Sequence, residues 1–153
     1  MGKGRFAVRQ TIARIVAALR DVVPDANRLG TVELVLAETL NNVVDHAYAE
    51  HQPPGPVTVI CRGRDDLLEI RITDRGAPMP QGRIPHATIP PCTPPSGDLP
   101  EGGFGWFLIR GLSQRVTYTR RDGVNTLTVS FDLAEIPATD PDRALPSRAT
   151  GAD

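Results

Sequence analysis

The chain is poor in cysteine, in net charge and in long apolar runs, and each shortage removes a class of protein. Its two cysteines, Cys61 and Cys92, stand in unlike contexts with no Cys or His nearby at metal-ligand spacing. Neither a zinc site nor a disulfide framework is indicated, and a structural role is expected for Cys61. With 17 Lys+Arg against 18 Asp+Glu the formal net charge is -1, which gives no electrostatic case for nucleic acid or an anionic membrane. Any anion must be held locally. No stretch approaches the roughly 18 uncharged apolar residues of a membrane span, and the opening MGKGRFAVRQ lacks the apolar centre of a signal peptide. A cytoplasmic protein with no membrane partner and no direct nucleic-acid partner is the expectation.

What the chain does have is enough length for a core and an excess of proline. At 153 residues it should form one domain, burying roughly two-thirds of the surface its unfolded form exposes. Its 15 prolines are about twice the usual ~5% share and mark what lies outside the core. From Phe6 to Val23 apolar residues recur at spacings of three and four, predicting an amphipathic helix closed by Pro24. After DANRLG, read as a polar turn, a second helix is predicted from about Val32 to Glu50, with Val32, Val35, Leu36, Leu40, Val43 and Ala47 along one stripe. HQPPGP ends it. VTVICR and LLEIRITD then alternate as two strands joined through RGRDD.

Residues 77–101 carry Pro78, Pro80, Pro85, Pro90, Pro91, Pro94, Pro95 and Pro100, which can neither continue a helix nor donate to a ladder. Loops of that length are usually functional. Order returns at GGFGWFLIRGL, a glycine cluster opening a short helix, followed by RVTYTRR, the turn signal Asp122-Gly123 and VNTLTVSFDL as a second hairpin. From Pro137 onward the chain has almost no large apolar residue, so residues 137–153 are expected to be a disordered tail. This order suggests an α+β sandwich with helices on one face of a four-stranded sheet.

Three groups could carry chemistry. Glu38 and Asn42 sit four apart on the second helix, with Asp45 three further on, so all three should project from one side. The amide oxygen can coordinate a hard cation such as Mg²⁺ while the carboxylate accepts a proton from an attacking hydroxyl; a solvated helix face is the plainer alternative. In TDRGAP, Asp74 either forms a turn or accepts the amino group of adenine, with Gly76 letting the base approach the backbone. In PEGGFGWFLIRGL, Gly102, Gly103 and Gly105 either expose backbone amides to phosphate or form a flexible loop without a ligand. No Walker loop is present, and no Rossmann fingerprint follows a strand.

With ETLNNVVDHAY as an N box, DRGAP as a first glycine box and GGFGWFLI as a second, in that order, the chain resembles the GHKL ATPase superfamily over about residues 6 to 133. Within it the chain is most similar to the bacterial anti-sigma-factor serine/threonine kinases. The resemblance implies a Bergerat ATP-binding fold, a two-layer α/β sandwich with a mixed, mostly antiparallel sheet and helices on one face. It implies a kinase domain over 1–136 with residues 77–101 as the ATP lid. It also implies Glu38 as the catalytic base, Asn42 as the Mg²⁺ ligand, Asp74 and Gly76 at the adenine, and Gly102, Gly103 and Gly105 at the phosphates of ATP. His46 matches the His of the family's N box and would pack or hydrogen-bond near the pocket. The substrate would be a STAS-domain anti-anti-sigma protein and the second partner a sigma factor, with Arg9 and Arg14 of the first helix as contact residues. A homodimer is also compatible with the resemblance. The chain departs from the pattern at Pro78, where many relatives carry a second glycine, at Trp106, where Leu is usual, and at Gln114, where an acidic residue is common. Two competing readings are a nucleotide-binding module without phosphoryl transfer and a switch kinase acting on a STAS scaffold without a sigma factor.

Overall fold

The computed structural model describes residues 3–48, 55–85 and 104–134. Three helices, α1 (Lys3–Leu19), α2 (Ala26–Asn42) and α3 (Phe104–Leu112), lie with four strands, β1 (Thr58–Arg64), β2 (Leu67–Asp74), β3 (Arg115–Arg121) and β4 (Val124–Asp132). The strand order is β1-β2-β4-β3. Every described pairing is antiparallel, in keeping with the mostly antiparallel sheet expected, and no parallel pair is present among the described residues.

The helices start and stop where local chemistry dictates. α1 ends four residues before the expected Val23, because the amides of Val22 and Val23 both converge on the Leu19 carbonyl, at 3.0 and 2.8 Å, and Pro24 has no N–H to continue. α2 begins six residues before the expected Val32. Asp25 is an N-cap whose carboxylate accepts from the Arg28 amide at 2.8 Å, so the DANRLG segment supplies the cap and first turns of a helix rather than a loop. α2 then passes directly into a π-helical turn, Val43–Ala47.

On α2 the buried residues Thr31, Val32, Val35, Leu36, Thr39 and Leu40 form one stripe. The hydroxyl of Thr39, fully buried, donates to the Val35 carbonyl at 2.7 Å, so the polar group is satisfied inside its own helix. β2 and β4 alternate strictly, with Leu68, Ile70 and Ile72 opposite Phe131, Val129 and Leu127 on the covered face. These residues join Ile12, Val16 and Leu19 of α1, the α2 stripe, and Trp106 and Ile109 of α3 in one core. The helices therefore cover a single face of the sheet. Trp106, the departure from Leu, is used to enlarge that core. The β3–β4 turn has both central residues at positive φ, Asp122 at 51° and Gly123 at 76°, matching the twist of the paired strands. No helix among the described residues is long and apolar enough to cross a membrane.

Two residues on α2 test this packing. Leu36→Ala, at a site 1% exposed, should cost about 2 to 5 kcal/mol in urea denaturation. Leu34→Ala, at a site 40% exposed, should change stability by no more than about 0.5 kcal/mol. Equal losses would mean that the stripe is misassigned.

Candidate nucleotide site

Glu38 and Asn42 are one helical turn apart on α2, and both are half-buried rather than solvated. They face the first turn of α3. A methyl group built on Gly105 would lie 2.9 Å from Glu38 Oε2, 3.4 Å from Asn42 Nδ2 and 3.6 Å from Asn42 Oδ1. A side chain there would push the Glu38 carboxylate out of its present position. The Glu38 carboxylate makes no hydrogen bond among the described residues, and Asn42 Nδ2 is buried without a partner among them. Leaving a buried amide unpaired costs about 1 to 3 kcal/mol, and such a group in a folded protein calls for a ligand, water or ion to explain it. Asp45, expected on the same side, is exposed. It falls in the π turn, where the residue-to-face relation of an α-helix no longer holds.

The π turn closes the other side of the site. The carbonyl of Ala47, its last residue, accepts from the Ala77 amide at 2.9 Å, and a Cβ on Gly76 would lie 2.3 Å from that same oxygen. The close approach that Gly76 permits is thus first to its own chain. Beside it, the Tyr48 hydroxyl accepts from the Arg75 amide at 3.2 Å. His46 is exposed and makes no hydrogen bond among the described residues.

Asp74, at the end of β2, is 6% exposed, and its Oδ1 accepts from the Gly76 amide and from Asn125 Nδ2, both at 2.8 Å. Asn125 lies directly opposite on β4 and is itself buried. Its Nδ2 also donates to the Ala77 carbonyl at 2.9 Å, while its Oδ1 accepts from the Tyr118 hydroxyl at 2.7 Å and from Arg120 Nη1 at 2.6 Å. Arg120 Nη1 also reaches the Gly76 carbonyl at 2.9 Å, and the Met79 amide donates to the Tyr118 hydroxyl at 3.1 Å. The sequence expectations name none of these three residues. A signal existed, since Asn125 occupies the inward position that Leu127, Val129 and Phe131 continue along β4.

Elsewhere, Cys61 is half-buried on the covered side of β1, where burial pushes its thiol pKa up and keeps it a neutral packing group. Arg9 and Arg14 are exposed on α1 and take no part in this site. Gly102, Gly103 and residues 86–101 of the expected lid lie outside the described residues, as does the expected tail. No cluster of three or more His, Cys, Asp or Glu side chains able to hold a metal occurs among the described residues.

An acid and an amide on one helix, facing a glycine that opens another, stand beside a buried aspartate at a strand end. Residues 5–131 match the family described as the histidine kinase-like ATPase domain. The chain belongs to this family. As a histidine kinase-like ATPase domain it uses ATP, and it is similar to proteins named as serine-protein kinases. It is 35% identical over 114 residues to serine-protein kinase RsbW of Halalkalibacterium halodurans, covering 69% of this chain and 68% of that protein. Serine-protein kinase RsbW of Oceanobacillus iheyensis is 30% identical over 118 residues, covering 72% and 74%. Serine/threonine-protein kinase BtrW of Bordetella bronchiseptica is 32% identical over 104 residues, covering 68% and 70%. These matches place the ATPase domain on the protein-serine/threonine kinase branch. The fold is shared with the histidine kinase domain of the blue-light activated histidine kinase EL346 of Erythrobacter litoralis, at a TM-score of 0.52 and 18% identity, over 83% of this chain and 61% of that one.

Gly76→Ala should destabilise the ATPase domain by about 1 to 3 kcal/mol, the usual cost of forcing a methyl group into filled space. Chemical denaturation checks this. Unchanged stability would mean that the Ala47 carbonyl is not held against residue 76.

Proposed function

We propose that this kinase domain binds ATP with Mg²⁺ between α2 and the end of β2 and transfers the γ-phosphoryl group to a Ser or Thr hydroxyl of a STAS-domain anti-anti-sigma protein. The observation that carries this reading is the meeting of Glu38 and Asn42 at Gly105, with the Asn42 amide buried and unpaired. An unpaired amide beside a carboxylate fits a metal-bound triphosphate: Oδ1 of Asn42 would be the protein's ligand to Mg²⁺, and Nδ2 would donate to a phosphate oxygen. The ion, when bound, supplies neutralisation of the phosphate charge.

Each residue then has a task that its position allows. Glu38, whose carboxylate has no hydrogen bond among the described residues, accepts the proton of the attacking hydroxyl. Base catalysis of this kind contributes about 10²-fold to 10⁴-fold. The bare Cα of Gly105 keeps α3 from displacing that carboxylate. Amides at the start of α3, with Gly102 and Gly103 before it, hold the phosphates. Asp74 has both of its hydrogen bonds on Oδ1, which leaves Oδ2 to accept the amino group of adenine. Gly76 lines the base, and His46 contributes at the pocket's edge.

The domain spans residues 1–136, with 77–101 as the ATP lid and 137–153 as a tail, and acts in the cytoplasm. In this reading the STAS protein and a sigma factor compete for the kinase through a surface that includes Arg9 and Arg14, both exposed. Phosphorylation releases the first partner, so that the second is held. A homodimer is compatible with this exchange.

Glu38→Ala should keep nucleotide affinity while slowing transfer by about 10²-fold to 10⁴-fold, measured as radiolabel passed from ATP to a STAS partner; parental activity in the mutant would remove Glu38 from the mechanism. Asp74→Asn should weaken ATP binding by about 1 to 3 kcal/mol in calorimetry, and an unchanged affinity would remove Asp74 from the base. The labelling assay also separates a kinase from a binding module, which labels no partner. Co-purification with a sigma factor separates the anti-sigma role from a switch kinase that acts on a STAS scaffold alone.

A further inference from the structure

The side chain of Asn125 is committed on every side. Two of its neighbours at Oδ1, the Tyr118 hydroxyl at 2.7 Å and Arg120 Nη1 at 2.6 Å, bring donors. Its neighbours at Nδ2, the Asp74 carboxylate at 2.8 Å and the Ala77 carbonyl at 2.9 Å, bring acceptors. A guanidinium can only donate and a carbonyl can only accept, so the amide has one orientation and cannot flip. The Tyr118 hydrogen is fixed as well, because its oxygen receives the Met79 amide. Asp74 consequently meets two donors, the Gly76 amide and Asn125 Nδ2, and both are spent on Oδ1. What remains is one oxygen that accepts and has nothing to donate.

From this arrangement we infer that Asn125, locked by Tyr118 and Arg120, is a positioning residue that keeps Asp74 an acceptor-only reader of the nucleotide base, and so sets the preference for 6-amino over 6-oxo purine triphosphates. The inference rests on the reading that Asp74 meets the base. A 6-amino group brings a hydrogen to Oδ2. A 6-oxo group brings a lone pair to a lone pair, and its oxygen is left unpaired in the site.

Inosine triphosphate is the probe, because it replaces the 6-amino group of ATP by an oxygen without adding a 2-amino group. With the full chain in calorimetry, ATP should bind at least about tenfold more tightly than inosine triphosphate. Asn125→Asp sets a second carboxylate against Asp74, and two such groups in contact share a proton. With the Nδ2 donor gone from Oδ1, Asp74 is no longer held with Oδ2 toward the base, so the ATP preference should shrink about tenfold. Tyr118→Phe and Arg120→Gln each remove one anchor of the amide and should narrow the preference about threefold. They keep the test open should Asn125→Asp fail to fold.

A purely structural role would weaken both nucleotides alike and leave their ratio fixed. If Asp74→Asn changes the ratio while the Asn125, Tyr118 and Arg120 variants do not, the positioning role is overturned and the Asp74 reading stands. If the parent protein binds the two nucleotides equally and Asp74→Asn changes nothing, the base-reading role of Asp74 fails, and this inference fails with it.

Discussion

The hydrogen bond from the Ala77 amide to the Ala47 carbonyl, made beside the bare Cα of Gly76, holds the end of the second helix to the end of the second strand. Glu38 and Asn42 belong to the helical side of that junction, and Asp74 belongs to the strand side. Together with the bond from the Arg75 amide to the Tyr48 hydroxyl, it ties the residues read as acting on phosphate to those read as acting on the base. The packing of α2 into the core sets the direction of the helix, and these contacts hold its end against the end of β2.

Around the junction the polar groups are consumed in a graded way. On the strand side Asn125 is saturated, and Asp74 keeps one oxygen in reserve. On the helix side Asn42 Nδ2 has no partner and Glu38 makes no bond among the described residues. Saturation belongs where a shape must be read without error, since each fixed donor removes an alternative geometry. Open valence suits the side read as receiving charge and moving a proton. The segment that follows Asp74 is also tied down at its root, through the Ala77 amide and carbonyl and the Met79 amide.

Much of this was legible in the residues. β2 and β3 run over the expected positions because Leu68, Ile70 and Ile72 alternate without interruption and Asp122-Gly123 marks its turn. Glu38, Asn42 and Gly105 were legible as types, and folding brings them together. Other features were hidden for physical reasons. Asp25 looks the same in a turn and at a helix cap, so DANRLG reads as a polar turn although α2 begins at Ala26. Val43 and Ala47 are four apart, a spacing that suits an α-helix, so nothing in their identity announced the wider turn. Asn125 sat unnoticed in an apolar alternation because its partner is 51 residues away, and cross-strand pairing is not local in sequence. Gly102 and Gly103 lie outside the described residues.

The π turn at Val43–Ala47 carries a consequence for how the chain can vary in length. Such a turn is an α-helix holding one surplus residue. Five residues in such a turn cover about the rotation and rise of four in an α-helix, so the loss of one there would leave the Ala47 carbonyl near Gly76 and Ala77. A loss within the regular winding of α2 would instead swing Ala47 about 100° around the axis relative to the residues before it and separate the end of the helix from the end of β2. The length of α2 up to Asn42 is therefore a register that the ATPase domain has to preserve, while the turn after it can lose a residue.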